Sequence, residues 1–144
     1  MKNKFGWKGK AKQARTILES SLITLGNEAK NHFVGSFRLQ GFEDRTVEKW
    51  PDRKKKDKRA GRAILVKTGD LRRSIRRETL SKAKLEVVIA TDLPYAKIHN
   101  EGGDGMAWGK HPFKMPKRQF IGHSFKLNQR VKKIITNRLD KLFK

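Results

Sequence analysis

The sequence predicts an α+β fold, a small antiparallel sheet packed with a long N-terminal helix and a C-terminal helix, and three features lead to it. Apolar residues recur at steps of three and four near both ends of the chain, the spacing of one helical face. A middle segment alternates apolar and polar residues between turn-forming clusters, which suits short strands. No internal repeat and no internal boundary divides the 144 residues, so a single domain is expected over 1–144.

The first dozen residues, MKNKFGWKGKAK, interleave lysine with Phe5, Trp7 and two glycines, and read as a basic arm over about 1–12. From Gln13 to Phe37 the residues Ala14, Leu18, Leu22, Leu25, Ala29, Phe33 and Phe37 form one stripe and predict the long helix. Gly26 and Gly35 each cost such a helix about 1 kcal/mol relative to alanine, so a kink or an early end near Gly35 is expected. Over about 40–62 the periodicity vanishes, and Trp50-Pro51 leads into Asp52-Arg53-Lys54-Lys55-Lys56-Asp57-Lys58-Arg59, read as a charged surface loop.

Ala63-Ile64-Leu65-Val66 is a short strand or extended run before Thr68-Gly69-Asp70, where the Thr68 hydroxyl can cap the turn that follows. Leu71 and Ile75 lie one helical turn apart, in a short helix carrying Arg72, Arg73, Arg76 and Arg77 on its other faces. Glu78–Leu80 and Leu85–Thr91 flank Ser81-Lys82-Ala83-Lys84 and read as an antiparallel hairpin. Pro94 suits a first helical position, so a short helix is expected from Leu93 through His99 to an end near Gly102. Gly102 to Gly109 then reads as a flexible loop, and Pro112 and Pro116 hold the chain extended as far as Phe120. Ile121, Phe125, Val131, Ile134, Ile135 and Leu142 predict the C-terminal helix.

A formal charge of +22 and a pI near 10.7 imply a polyanionic partner, an acidic protein surface, or an assembly that offsets the self-repulsion. Phosphate attraction carries no base identity, so the charge implies no sequence readout. Without cysteine the fold has no disulfide and no thiolate metal site. No apolar run suits a signal peptide or a membrane span, so an aqueous compartment and no membrane partner are expected.

No catalytic residue, metal site or cofactor is assigned, and the chain is read as a non-enzyme. His32, on the helix stripe, reads as structural. His99, Asn100 and His123 fit a His-Asn-His nuclease only by force, because the segment between them is rich in glycine and proline where a ββα metal unit is needed. Lys67-Thr68-Gly69 and Ser81-Lys82-Ala83-Lys84 match two penicillin-binding motifs in reversed order, a chance match. There is no phosphate-binding loop or dinucleotide fingerprint. The basic clusters remain as a candidate contact surface: Lys54, Lys55, Lys56, Lys58 and Arg59 in the loop, and Arg72, Arg73, Arg76 and Arg77 after it. Their bland alternative is a solvated face.

Three blocks in order resemble the virion morphogenesis, or tail-completion, family of tailed phages and prophages. The first runs from Ile64 to Ile75 (ILVKTGDLRRSI), a hydrophobic run, Thr-Gly, leucine, arginines and Ser-Ile. The second runs from Val87 to Gly102 and contains Pro94-Tyr95-Ala96 and His99-Asn100-Glu101-Gly102. The third, Met115 to Gly122, is similar to the family's Pro-x-Arg-x-Phe-x-Gly ending. The lysine-rich loop and the arm depart from the pattern.

The resemblance implies a structural subunit of a ring at the head–tail neck of a virion, made in the host cytoplasm. Its implied partners are other copies of itself and neighbouring neck, connector or tail-tube proteins, with non-specific contact to packaged DNA. Its motif residues make sense as scaffold: Thr68 and Gly69 turn the chain, Leu71 and Ile75 anchor a helix, and Pro94 with Tyr95 fixes a corner. Gly102 and Gly122 free the backbone at turns, Pro116 and Phe120 belong to the extended segment, and Arg118 pins that segment through a carboxylate or a carbonyl. The rival reading is a basic nucleic-acid-binding protein without catalytic activity, with Trp7, Trp50 and Trp108 in loops for stacking on bases or for anchoring an interface.

Overall fold

The computed structural model describes residues 6–144, and the fold is α+β, with a long helix at the start, another at the end and small antiparallel pairs between. Helix α1 spans Trp7–Leu39. It begins six residues earlier than the apolar stripe requires, because Lys8, Lys10, Ala11 and Lys12 are good helix formers and the turn continues through them. The expected arm is therefore helical from Trp7, and its first five residues lie outside the described part. Leu22, Leu25, Phe33 and Phe37 of the stripe are buried. The helix runs on through Gly35 and stops at Gln40, which takes the left-handed conformation (φ 53°) while its N–H bonds back to the Ser36 carbonyl. Gly26 is needed for close packing, since a Cβ there would come within 2.9 Å of Val87.

The single small sheet expected from the sequence is instead three separate two-stranded antiparallel pairs. The first, β1 (Gly41–Glu43) with β2 (Val47–Lys49), lies where a charged loop was expected. Its strands of three residues are too short to show a period, yet they bury Phe42 and deliver Trp50 into the core. The basic loop starts only at Pro51. Ala63–Val66 forms no strand: Leu65 has a φ of 58°, and the Gln40 amide bonds both the N–H and the carbonyl of Ile64, at 2.5 and 3.2 Å, so those groups need no neighbouring strand.

Helix α2 spans only Asp70–Ser74, and the chain is already extended at Ile75. Arg76 and Arg77 thus belong to β3 (Arg76–Ser81), not to the helix that carries Arg72 and Arg73. Strand β3 pairs with β4 (Glu86–Ala90), with a register shift between Arg77 and Thr79, and both lie against α1. Helix α3 (Ala96–Glu101) follows a turn closed by the Ala96 N–H on the Leu93 carbonyl at 2.9 Å, so Pro94 and Tyr95 precede the helix rather than open it. The expected flexible glycine loop and the extended proline stretch are one hairpin, β5 (Gly103–Ala107) with β6 (His111–Met115).

Helix α4 (Phe125–Phe143) is capped by Ser124, whose Oγ accepts from the Leu127 N–H at 3.2 Å and donates to the Glu43 carbonyl at 2.7 Å. It runs antiparallel to α1: Arg130 reaches Glu28 and His32, while Arg138 reaches Ser21 and Thr24. Phe33, Phe37, Phe42, Trp50, Ile64, Leu71, Ile75, Ala96, Phe120 and Leu127 make one core. Phe37 sits at its centre, edge-on to Trp50 at 5.5 Å and tilted against Phe120 at 5.4 Å. Full burial contributes about 1.5–3 kcal/mol for each large side chain, so most of the stability rests on these residues. No helix among the described residues is long and apolar enough to cross a membrane.

Candidate functional site

The three sequence blocks are stitched to one another by polar bonds. In the first, Gly69 takes a left-handed conformation (φ 78°) ahead of α2, and Thr68 Oγ1 donates to the Asp70 carboxylate, which also accepts from Arg73 at 2.6 Å. The Thr68 hydroxyl bond, followed by Arg73, holds the Asp70 carboxyl below its usual range. Leu71 and Ile75 are buried, Ile75 completely. Ser74 Oγ meets Thr91 Oγ1 at 2.6 Å, which ties the first block to the second, and Arg76, just past the first block, pairs with Asp92 at 2.9 Å.

The second block meets the third at α3. Asn100 Oδ1 accepts the N–H groups of both Phe120 and Ile121, at 2.9 and 3.0 Å, and the His99 carbonyl accepts the Arg118 N–H at 2.8 Å. Gly102 ends α3 at a φ of 73°, and a Cβ there would press to 2.8 Å from the Lys117 nitrogen and 3.0 Å from the Met115 carbonyl, so only glycine lets Met115 and Lys117 pass this close. The Arg118 side chain is buried and donates to the Pro51 carbonyl from Nε at 3.2 Å and from Nη2 at 3.0 Å. Trp50 Nε1 donates to the Gln119 carbonyl at 2.7 Å. Phe120 is fully buried between them, and Gly122 turns the chain toward the Ser124 cap.

Two placements differ from the sequence reading. Tyr95, expected to fix a corner with Pro94, is 42% exposed, and Ala96 beside it is the residue that enters the core. The turn at Leu93–Ala96 rotates the ring outward to lie edge-on against His99 at 5.9 Å. Of the three tryptophans placed in loops, Trp50 is core, Trp7 stands exposed on α1, and Trp108 is 91% exposed at the tip of β5–β6. Gln40 and Asn100 are the bonding centres that sequence reasoning missed. Each serves two backbone groups far away in the chain, a pairing with no local signal.

The candidate surface is a cleft of about 1270 Å³ between the Pro51–Arg59 loop on one side and Tyr95, His99 and the Lys114–Arg118 strand end on the other. Eight of its lining side chains are lysine or arginine against four carboxylates. Lys54, Lys56 and Arg59 line it, whereas Lys55 and Lys58 are exposed outside it. Arg72, Arg73, Arg76 and Arg77 are exposed on α2 and β3 and lie outside the cleft. Arg53 differs from its neighbours: its guanidinium donates to the carbonyls of Arg59, Arg62 and Ala63, at 3.2, 2.6 and 3.1 Å, and so closes the loop upon itself. Burial, helped by Arg53, lowers the pKa of Arg118, although it stays charged at any ordinary pH. Burial first, and then Arg118, also lowers the pKa of His99, whose Nδ1 is buried without a partner.

The histidines are not gathered into a nuclease site. Asn100 is occupied by the backbone of the third block, and His123 bonds Asn128 at 2.9 Å. His32 is buried between α1 and α4, with Nδ1 at 2.5 Å from Arg130 Nη2 and Nε2 unpartnered. Among the described residues no three or more histidine and acidic side chains are grouped to hold a metal.

A model of the phage virion morphogenesis family matches residues 40–140, from the end of α1 nearly to the end of α4, and so contains all three blocks. The chain belongs to the phage virion morphogenesis family. No curated protein and no solved structure matches it. Family membership gives the chain a structural part in building a bacteriophage virion. Within the matched region the basic loop from Pro51 to Arg62 and the strands β5 and β6 contain no buried residue.

Proposed function

We propose that this chain is a non-catalytic subunit of a ring in the head–tail neck of a tailed phage, where it completes the tail or joins it to the head. The observation that supports this best is its surface. In a chain of net charge +22, Ile23 on α1, Met106 and Trp108 together on the β5–β6 hairpin, and Phe143 at the end of α4 all stand more than half exposed. A virion morphogenesis protein with several exposed apolar points is suited to touch several neighbours at once. Those neighbours are further copies of the chain, neck, connector or tail-tube proteins and, through exposed basic side chains outside the cleft such as Arg72 and Arg76, the packaged DNA. The protein is made in the host cytoplasm and ends at the head–tail junction.

The test is a phage or prophage carrying a stop codon in this gene. Filled heads and finished tails that remain unjoined, with the protein found at the neck of wild-type particles by antibody labelling, is the expected result. Normal joined particles lacking the protein would sink the proposal.

The rival reading, a basic protein that binds nucleic acid, draws on the cleft with its eight cations. It requires binding to DNA outside particles that weakens steeply as salt rises. Salt-sensitive gel shifts together with normal joined particles from the stop-codon phage would favour the rival over the neck.

A further inference from the structure

We propose that the β5–β6 hairpin is an exchange arm, which seats Trp108 of one copy in the basic cleft of the next. This rests on the ring reading and adds the contact that would close it. No residue of either strand is buried, and no other helix or strand packs extensively on them, so the hairpin stands out from the core. The arm is nevertheless built to hold a shape. The Phe113 ring lies across Gly105, the Lys110 N–H closes the tip on the Ala107 carbonyl at 3.2 Å, and His111 meets the indole edge-on at 6.4 Å. Trp108 sits at a φ of 50°, unusual for a bulky residue, which turns its ring outward with Met106 exposed beside it.

Charge points to the occupant. Copies of a chain with net charge +22 repel, and they meet at least cost through a segment that carries little charge. The whole hairpin, Gly103 to Met115, carries Asp104 against Lys110 and Lys114 and so is close to neutral, and its outgoing strand, Gly103 to Ala107, carries no cation. The cleft carries eight cations against four carboxylates, over a floor that includes Leu65, Tyr95 and Met115. Arginines such as Arg53 and Arg59 attract the face of an indole within about 6 Å. At about 1270 Å³ the cleft also exceeds the usual small-molecule site of about 300–1,000 Å³.

The arm cannot fill its own cleft. Gly102, Gly103, Lys114 and Met115 at its root line that cleft, while the tip lies a five-residue strand away, about 17 Å. Knob and socket therefore occupy different places on one chain. That is the condition for a head-to-tail interface, which closes into a ring when the rotation allows.

The test uses the full chain, which has no cysteine of its own. Two single variants, Lys110→Cys beside the tip and Lys56→Cys in the cleft, are mixed and oxidised, and sedimentation compares wild type with Trp108→Ala. A disulfide-linked dimer between the two variants, and association weakened at least tenfold by Trp108→Ala with its melting temperature unchanged, is the expected result. Oligomers that form equally well with Trp108→Ala and give no cross-link overturn the arm while leaving the ring reading standing. A wild-type chain that stays monomeric and uncross-linked at every concentration also overturns the arm, and subunit counting in purified particles then judges the ring separately. Binding of a labelled thymidine oligonucleotide that Lys56→Glu abolishes, again without the cross-link, assigns the cleft to nucleic acid and overturns the proposal.

Discussion

The guanidinium of Arg118 holds the carbonyl of Pro51 with two hydrogen bonds, at 3.2 and 3.0 Å, across sixty-seven positions of sequence. Together with Trp50 Nε1 on the Gln119 carbonyl at 2.7 Å, it fastens the third sequence block to the start of the basic loop. The cleft has one wall on each side of this fastening, so its shape depends on it.

Arg118→Ala leaves the Pro51 carbonyl without these donors and opens a gap under α3. A hydrogen bond to a charged group contributes about 1.5–3 kcal/mol, and a loss of that size is expected in urea denaturation. Arg118→Lys keeps the charge but not the fork, so it recovers only part of the loss. Equal stability of all three proteins would show that the fastening is not needed.

A second contrast separates the anchors. Ile75 is fully buried and Leu71 is 4% exposed, so Ile75→Ala should cost about 2–5 kcal/mol and Leu71→Asp should prevent folding. Tyr95→Ala, at a half-exposed ring, should cost under about 1 kcal/mol. Thermal melting followed by circular dichroism ranks the three, and a Tyr95 variant as damaged as the Leu71 variant would contradict the placement of its ring.

How much of this was legible follows physical lines. The stripe from Leu22 to Phe37 was readable because a helix repeats locally, and so was the apolar run that became α4. Phe42 and Trp50 were not, because a three-residue strand has no period and takes its partner from the turn beyond it. The glycines of β5 looked mobile because nothing local shows that Phe113 of the opposite strand covers Gly105. Tyr95 lies in a recognisable block, but which of Tyr95 and Ala96 points inward is decided by the turn at Leu93. The cleft unites the loop near Arg59 with the strand end near Lys114, and such a pairing belongs to tertiary structure alone.

Acid should weaken the fold through its buried histidines. Burial is the main cause lowering the pKa of both His32 and His99, with Arg130 and Arg118 adding to it. The Arg130 guanidinium donates to His32 Nδ1 at 2.5 Å, which favours the neutral ring. The unfolded chain, with histidines near 6.5, then takes up protons before the folded one does. Stability is therefore complete above about pH 6.5 and falls as the pH drops toward the lower folded-state values. Glu43, held low chiefly by a hydrogen bond from Lys126, adds a further loss at more acid pH, below its ordinary carboxylate range. Urea midpoints at pH 8, 7, 6 and 5 should decline through this window, and His32→Gln should flatten part of the slope. A midpoint unchanged from pH 8 to 5 would contradict the buried neutral histidines.

The basic loop separates folding from assembly. Lys54, Lys55, Lys56 and Lys58 are exposed and form no core contact, whereas Arg53 closes the loop on the carbonyls of Arg59, Arg62 and Ala63. Replacing the four lysines with glutamine removes four positive charges without removing any of these bonds, so the unfolding free energy from urea denaturation should stay within about 0.5 kcal/mol of wild type. Arg53→Ala should instead loosen the loop and change the cleft while barely altering net charge. If the loop grips an acidic neighbour or DNA in the neck, the quadruple glutamine variant should lower the yield of particles with attached tails, and raised salt should lower the wild-type yield in the same direction. A loop whose lysines serve only solvation gives normal infectious yields with all four neutralised. In that case Arg53→Ala would be the only one of these variants to affect assembly, and the effect would come from the shape of the cleft rather than from its charge.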